Sequence, residues 1–306
     1  MNTVLRRAMN LPVIMLGVSA IVFIAIHALP GDPARLMAGP QAPEGVVAAI
    51  HERLGLNQSL LHQYGHFLRH ALQGDFGLSL RDGAPVGRMI AGRLPYSLLL
   101  GGLAYLLAMA VAIPGGIVGA VCANRWPDHL LMAMTLLGAS LASFWVALIG
   151  MEVFAVRLHW LPLMGAGDWH HVILPVLVLA LMPSALILRM TRTGMRDILR
   201  QDYIRTARAK GLSPMTVLLR HALRNAMIPV VTVVFLNLGG LISGAIVTET
   251  VFDWPGIGRL LIDAVRYRDY PTIQAITLLS IFGVLSANLL AEAIIVYLDP
   301  RMRGHK

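Results

Sequence analysis

Nine basic side chains crowd one stretch of the chain: Arg189, Arg192, Arg196, Arg200, Arg205, Arg208, Lys210, Arg220 and Arg224. Only Asp197 and Asp202 oppose them there. Groups of this kind pair with acidic surfaces, phosphates or anionic lipid. They do not make a reaction centre. The only lysines are Lys210 and Lys306, and neither closes a glycine-rich phosphate loop, so no nucleotide site of that type is expected. The chain has no G-x-S-x-G and no H-E-x-x-H, which argues against the common membrane hydrolases and metalloproteases. His62, His66 and His70 recur every fourth residue, a spacing that could hold a transition metal. No acidic or cysteine ligand is built into that pattern. An exposed amphipathic helix accounts for it, and no metal site is expected. His170-His171 reads as a pair at a membrane interface. Cys122 is alone, which excludes an intrachain disulfide and any multi-cysteine metal site. Glu152 and Glu292 interrupt apolar runs, where a carboxylate faces a partner or a water-filled path. Asn288 lies one turn before Glu292 and shares its face. That pair either lines a path or makes a hydrogen bond between packed helices. Glu152 is near enough to an outer end to snorkel.

The elements that must carry these groups are membrane helices. Of 306 residues, 57% are hydrophobic and 13% charged, against roughly 25% charged in a soluble domain. Arg6 and Arg7 precede an apolar run from Leu11 to Leu29 that is too long for a signal-peptide core and lacks an A-x-A site. It reads as an uncleaved first helix. Further spans are expected at 96–121, 130–156, 172–188, 226–248 and 273–297, each near the ~20 residues a bilayer requires. The fold class is therefore all-α, a single membrane domain of six spans over residues 1–306. Residues 30–95 form an external region with short amphipathic helices. Residues 189–225 form a cytoplasmic basic segment. Pro114-Gly115-Gly116 predicts a bend in the second span. Gly239, Gly240 and Gly244 supply small packing residues in the fifth.

Charge supports this topology. Segments placed inside carry 15 Lys and Arg against four acidic residues, and segments placed outside carry ten against ten. The excess lies on the side where the positive-inside rule puts it. The net charge of +9 is thus explained by topology, and no nucleic-acid partner is expected. Within the basic segment, Ala207 and Ala209 tolerate helix, Gly211 is a stop, and Ser213-Pro214 is an N-cap followed by Pro at the first helical position. The segment reads as helix, sharp break, helix, beneath the inner membrane surface. It could take force from a cytoplasmic partner, or serve only to fix topology.

Several separated stretches, in order, resemble the integral-membrane permease subunits of ABC importers of the dipeptide, oligopeptide, nickel and glutathione class. They are HALPGDPARLMAGP (His27 to Pro40), LGLNQSLLHQYGHFL, QGDFGLSL (Gln73 to Leu80), DYIRTARAKGLS (Asp202 to Ser213), HALRNAMIPVVT (His221 to Thr232), VFDWPGIGRLL (Val251 to Leu261), RDYP (Arg268 to Pro271) and LDPR (Leu298 to Arg301). The resemblance implies that Asp202, Tyr203, Arg205, Thr206, Ala207, Arg208, Ala209, Lys210 and Gly211 form the coupling helix that docks on an ATPase subunit. Arg205 and Thr206 stand where the general family signature has Glu and Ala, a departure that looks typical of the peptide and nickel branch. The resemblance further implies a bacterial inner-membrane protein with both termini cytoplasmic. It would have a second homologous permease and two ABC ATPase subunits as partners. An extracytoplasmic binding protein would deliver a dipeptide, oligopeptide or glutathione, or alternatively nickel. Asp32, Asp75, Phe252 and Trp254 are the expected contacts for that protein or for a gate. The chain would be no enzyme and bind no cofactor, with ATP and Mg held by the ATPase partners. An ion-gradient-driven transporter would instead need a relay of intramembrane ionisable groups, and Glu152 and Glu292 alone are available. A membrane-bound enzyme is a third class.

Overall fold

The computed structural model describes residues 3–27, 33–39, 41–55, 57–238 and 245–298. Fourteen helices are named here in chain order: α1 Thr3–His27, α2 Pro33–Ala38, α3 Glu44–Leu54, α4 Leu60–Leu72, α5 Val86–Val121, α6 Trp126–Ser140, α7 Ser143–Gly150, α8 His170–Leu199, α9 Asp202–Ala209, α10 Pro214–Thr216, α11 Arg224–Leu238, α12 Ile246–Val251, α13 Ile257–Tyr267 and α14 Tyr270–Leu298. Two π-helical stretches, Met151–Arg157 and Val217–Leu223, prolong α7 and α10. Extended pairing among the described residues is a single bridge between Leu78 and Pro85. By length and composition, three helices suffice to cross a bilayer among the described residues, α5, α8 and α14, and up to five if each of two bent pairs counts as one. A shorter apolar helix covers Pro12–Ala25.

The chain divides into two compact units. Residues 98–254 and 286–306 form the larger one. Its core follows a spacing in the sequence. Ala104, Ala108, Ala112, Gly116 and Ala120 recur every fourth residue of α5, so they lie along one face, and all are buried. Small residues on one stripe let helix backbones approach closely. Ala180, Ile187 and Leu188 of α8 and Val230 and Val234 of α11 fill the space against that stripe. At Gly116 the approach is tightest: a Cβ there would stand 2.6 Å from Thr191 Cβ and 2.9 Å from the Leu188 carbonyl oxygen. Pro114-Gly115-Gly116 therefore lies within one unbroken helix, where Gly116 supplies proximity.

Two expected spans take a different form. The third, read as continuous over 130–156, turns by 100° between α6 and α7. Leu141 (φ −78°, ψ 130°) and Ala142 (φ −64°, ψ 127°) are extended there and end the helix ladder. The helix that carries the fourth, expected over 172–188, continues beyond residue 188. α8 runs on through Leu199, because Leu188, Thr191 and Met195 continue its buried stripe at helical spacing into the basic segment. At 30 residues α8 is about 45 Å long, more than a ~30 Å hydrocarbon core. The fifth span is described as α11 and α12, and Gly239, Gly240 and Gly244 lie outside the described residues.

The smaller unit comprises residues 1–97 and 255–285. In it, α13 buries Ile257, Gly258, Leu260 and Ala264 on one side, and the Ile257 backbone N–H donates to Ser97 Oγ at 2.8 Å. Asp269, 2% exposed, immediately precedes α14. Its carboxylate accepts from Leu80 N–H at 3.0 Å, from Thr272 Oγ1 at 2.7 Å and from Ser79 Oγ. Arg81 lies 3.9 Å over the Tyr267 ring. The stretches QGDFGLSL and RDYP, remote in sequence, thus meet through one buried carboxylate.

Candidate functional site

α9 is eight residues long, and its two faces differ sharply. Ile204 and Ala207, three apart, share one face and are 0% and 7% exposed. They pack with Ala120 of α5, Met195 of α8, Val217, Ala222 and Ala226 of α11. Asp202, Tyr203, Arg205, Thr206, Arg208 and Ala209 are exposed, as are Lys210 and Gly211 beyond the helix. The N-terminus carries Asp202, a negative charge favourable to the helix dipole. Thr206 Oγ1 donates to the Asp202 carbonyl at 3.0 Å. Tyr203 is braced from the side, its hydroxyl accepting from Asn225 Nδ2 at 3.0 Å. Arg205 lies 3.7 Å from Asp202, but both side chains are mostly solvent-exposed and the pair adds little.

The helix ends as its sequence requires. Gly211 has φ +75°. Its N–H bonds the Arg208 carbonyl at 3.0 Å, and Leu212 N–H bonds the Ala207 carbonyl at 3.4 Å. These are the two bonds of a Schellman cap. Nothing lies within 4 Å of where a Gly211 Cβ would be, so the need for glycine there is conformational. The next helix begins at once: Ser213 Oγ accepts from Thr216 N–H at 3.3 Å, with Pro214 at the first helical position. The segment is a short rod clamped at both ends, with Arg205, Arg208 and Lys210 facing solvent.

One supporting contact was not anticipated. Asp128, in the first turn of α6, is 1% exposed and receives Arg192 of α8 in a bidentate pair, Nη2 to Oδ2 at 2.7 Å and Nε to Oδ1. Asn124 N–H adds a third bond at 2.9 Å. Chiefly through the Arg192 hydrogen bonds, the Asp128 carboxyl is held down to about 2. The pair ties the turn before α6 to the extension of α8, whose Met195 supports Ile204. Its only sequence signal was a lone acidic residue in a short inside turn, with many arginines to choose from.

Other expected residues fall elsewhere. Phe252 and Trp254, expected as contacts for a binding protein or for a gate, are each 2% exposed. Phe252 packs against Ala147, Met151, Leu174 and Val178, and Trp254 against Leu100 and Val176. Both are interior anchors of the turn after α12. Its carbonyl tie, Gly165 N–H to the Phe252 oxygen at 2.9 Å, fixes the preceding loop. Asp75 is exposed and caps its own turn. Its carboxyl is lowered by Gly77 N–H, 3.0 Å away, and next by His70. Asp32 lies outside the described residues. Asn288 and Glu292 sit one turn apart on α14, both half-buried. Glu152 is exposed and accepts from Arg157 Nε at 3.0 Å within the π turn. His66 and His70 stack at 4.3 Å. Among the described residues no three His, Cys, Asp or Glu side chains converge as a metal would require.

Residues 112–304 match the family described as binding-protein-dependent transport system inner membrane component, and residues 1–101 match the N-terminal part of such membrane components. The chain belongs to this family. It is 45% identical over 303 residues, 99% of each chain, to the protein named glutathione transport system permease protein GsiC of Escherichia coli (strain K12). The protein of the same name from Shigella flexneri serotype 5b (strain 8401) is also 45% identical over 303 residues. Among solved structures, the MetNI methionine ABC transporter in an inward-facing conformation aligns with TM-score 0.59 at 16% identity, covering 69% of this chain and 96% of that one. An amino acid ABC transporter crystallised with histidines gives TM-score 0.52 at 16% identity, covering 69% and 94%. These neighbours establish an ABC permease fold. The binding-protein-dependent permease is thus an integral membrane transport subunit and no enzyme. Permeases of this family work in general with a partner permease, an ATPase and a binding protein.

Proposed function

We propose that this permease pairs with a second, similar permease to enclose a path for a peptide-like solute, glutathione or a short peptide. An extracytoplasmic binding protein delivers the solute to external loops that include residues 30–95. Six spans cross the inner membrane, both termini lie in the cytoplasm, and α9 rests on one of two ATPase subunits that bind ATP and Mg. The solute class rests on the end-to-end identity to proteins named as glutathione permeases. The orientation rests on the charge count, 15 basic and four acidic residues on the inner segments.

The coupling role rests on one observation: α9 presents Arg205, Arg208 and Lys210 outward on a helix whose other face is locked into the bundle by Ile204 and Ala207. A rod so held transmits displacement where a loose loop would absorb it. Closure of an ATPase dimer would push α9, and the spans would rock between inward and outward openings. Reconstitution tests this directly. Uptake of glutathione into proteoliposomes is expected to require the partner permease, the ATPase, ATP and binding protein together. Uptake by this chain alone, driven by a proton gradient, would overturn the proposal.

A further inference from the structure

α4 lies within the region expected to be external and aqueous, yet it is seated on the apolar part of α1. Tyr64 donates to the Leu16 carbonyl oxygen at 2.9 Å, and its hydroxyl meets Ser19 Oγ at 2.7 Å. Phe23 contacts both Tyr64 and Phe67, with ring centroids 5.3 and 6.3 Å apart. Leu16, Ser19 and Phe23 all fall inside the apolar stretch Pro12–Ala25, and Ser19 and Phe23 are 2% and 5% exposed. The other side of α1 shows Ile14, Ile21 and Ile24 to the surroundings. With Leu11–Leu29 read as the first span, these contacts place α4 beside the apolar stretch of that span, at its depth.

Helical spacing divides α4 into two arcs. Leu60, Tyr64, Phe67 and Ala71 lie toward α1, flanked by Leu61, Leu68 and Leu72. Leu61 and Leu72 are 85% and 89% exposed, a surface that continues the apolar face of α1. The opposite arc holds His62, His66, Arg69 and His70. His70 already faces Asp75 at 3.3 Å. His62, His66 and Arg69 are exposed. A guanidinium at this depth needs water, and such groups face aqueous cavities or solute paths.

We propose that His62, His66 and Arg69 line a water-filled entrance to the transport path and receive the carboxylates of the incoming solute. This rests on the peptide-solute reading above. A guanidinium and two imidazoles suit a peptide carboxylate, and a cationic wall raises the local concentration of an anion.

Single cysteines at positions 61, 62, 66, 69 and 72, in a Cys122→Ala background of the assembled transporter, test the placement. A membrane-impermeant maleimide added outside is expected to label His62→Cys, His66→Cys and Arg69→Cys. Leu61→Cys and Leu72→Cys are expected to react only with a lipid-soluble maleimide. Equal labelling of all five by the impermeant reagent, or of none, overturns the entrance. The charge role is tested with glutathione and alanyl-glutamate as probes, each against its ester. Arg69→Gln is expected to slow uptake of the free acids about tenfold at low concentration, to spare the esters, and to be rescued by Arg69→Lys. Equal slowing of acids and esters overturns it. A transporter that moves neither probe refutes the peptide-solute reading and with it the anion half of this proposal, while the labelling pattern still decides the entrance half.

Discussion

Replacing Arg192 with Met should destabilise the permease more than its half-buried position suggests. The ordinary carboxylate value of 3.8 falls to about 2 at Asp128. At 1.36 kcal/mol per unit, that difference is worth on the order of 2 kcal/mol of interaction with the charged form. In the Met variant the carboxylate, 1% exposed, loses both guanidinium bonds and keeps the Asn124 N–H. The loss should therefore reach about 3 kcal/mol, the lower end for breaking a buried pair on one side. Asp128→Asn should cost less, about 1 to 2 kcal/mol, because Arg192 can extend its head to water. The double variant should cost less than the sum, with a coupling of about 1 to 2 kcal/mol. The sign of the pH effect follows from a lowered carboxyl. Its stabilisation is complete above about pH 4 and is lost as pH falls toward 2, so wild type and Asp128→Asn should converge in acid. Thermal unfolding in lipid nanodiscs at several pH values measures all of this. An Arg192→Met variant with an unchanged Tm, or a strictly additive double variant, would refute the reasoning.

Gly116→Val should separate α5 from α8, because even the first added carbon would stand 2.6 Å from Thr191 Cβ. A loss of about 3 kcal/mol or more is expected, read as a lower Tm and reduced membrane accumulation. Gly211→Pro and Ala207→Asp should each abolish ATP-dependent uptake while the protein still reaches the membrane, which a transport assay beside an immunoblot checks. Asp269→Ala should free the Ser79–Leu80 segment and expose it to external protease, with a destabilisation of about 2 kcal/mol from three orphaned donors.

Legibility in the sequence tracked the range of the interaction. Gly211 and Ser213-Pro214 announced the end of one helix and the start of the next, because cap chemistry is written within six residues. The continuation of α8 was hidden because Arg189, Arg192 and Arg196 drew attention from Leu188, Thr191 and Met195 on the same turns. The 100° turn at Leu141 and Ala142 was hidden for the opposite reason. Apolar residues flank it on both sides, so hydropathy alone sees one span. Asp128 with Arg192, and Ser79 with Asp269, pair across 64 and 190 residues, and spacing carries no signal at that distance. Phe252 and Trp254 stood in a recognisable motif, but an aromatic motif reads alike whether it anchors a core or meets a partner. Glu152 interrupts an apolar run yet is exposed and paired with Arg157, five residues on.

The coupling role of α9 depends on what it touches in the assembled transporter. A photoreactive amino acid in place of exposed Thr206 measures it. Irradiation of the intact complex should yield an adduct with the ATPase subunit, strengthened or weakened by ATP, whereas the same probe at Leu72 should give no such adduct. Adducts at Thr206 with lipid or the extracytoplasmic binding protein, and with no ATPase, would contradict it.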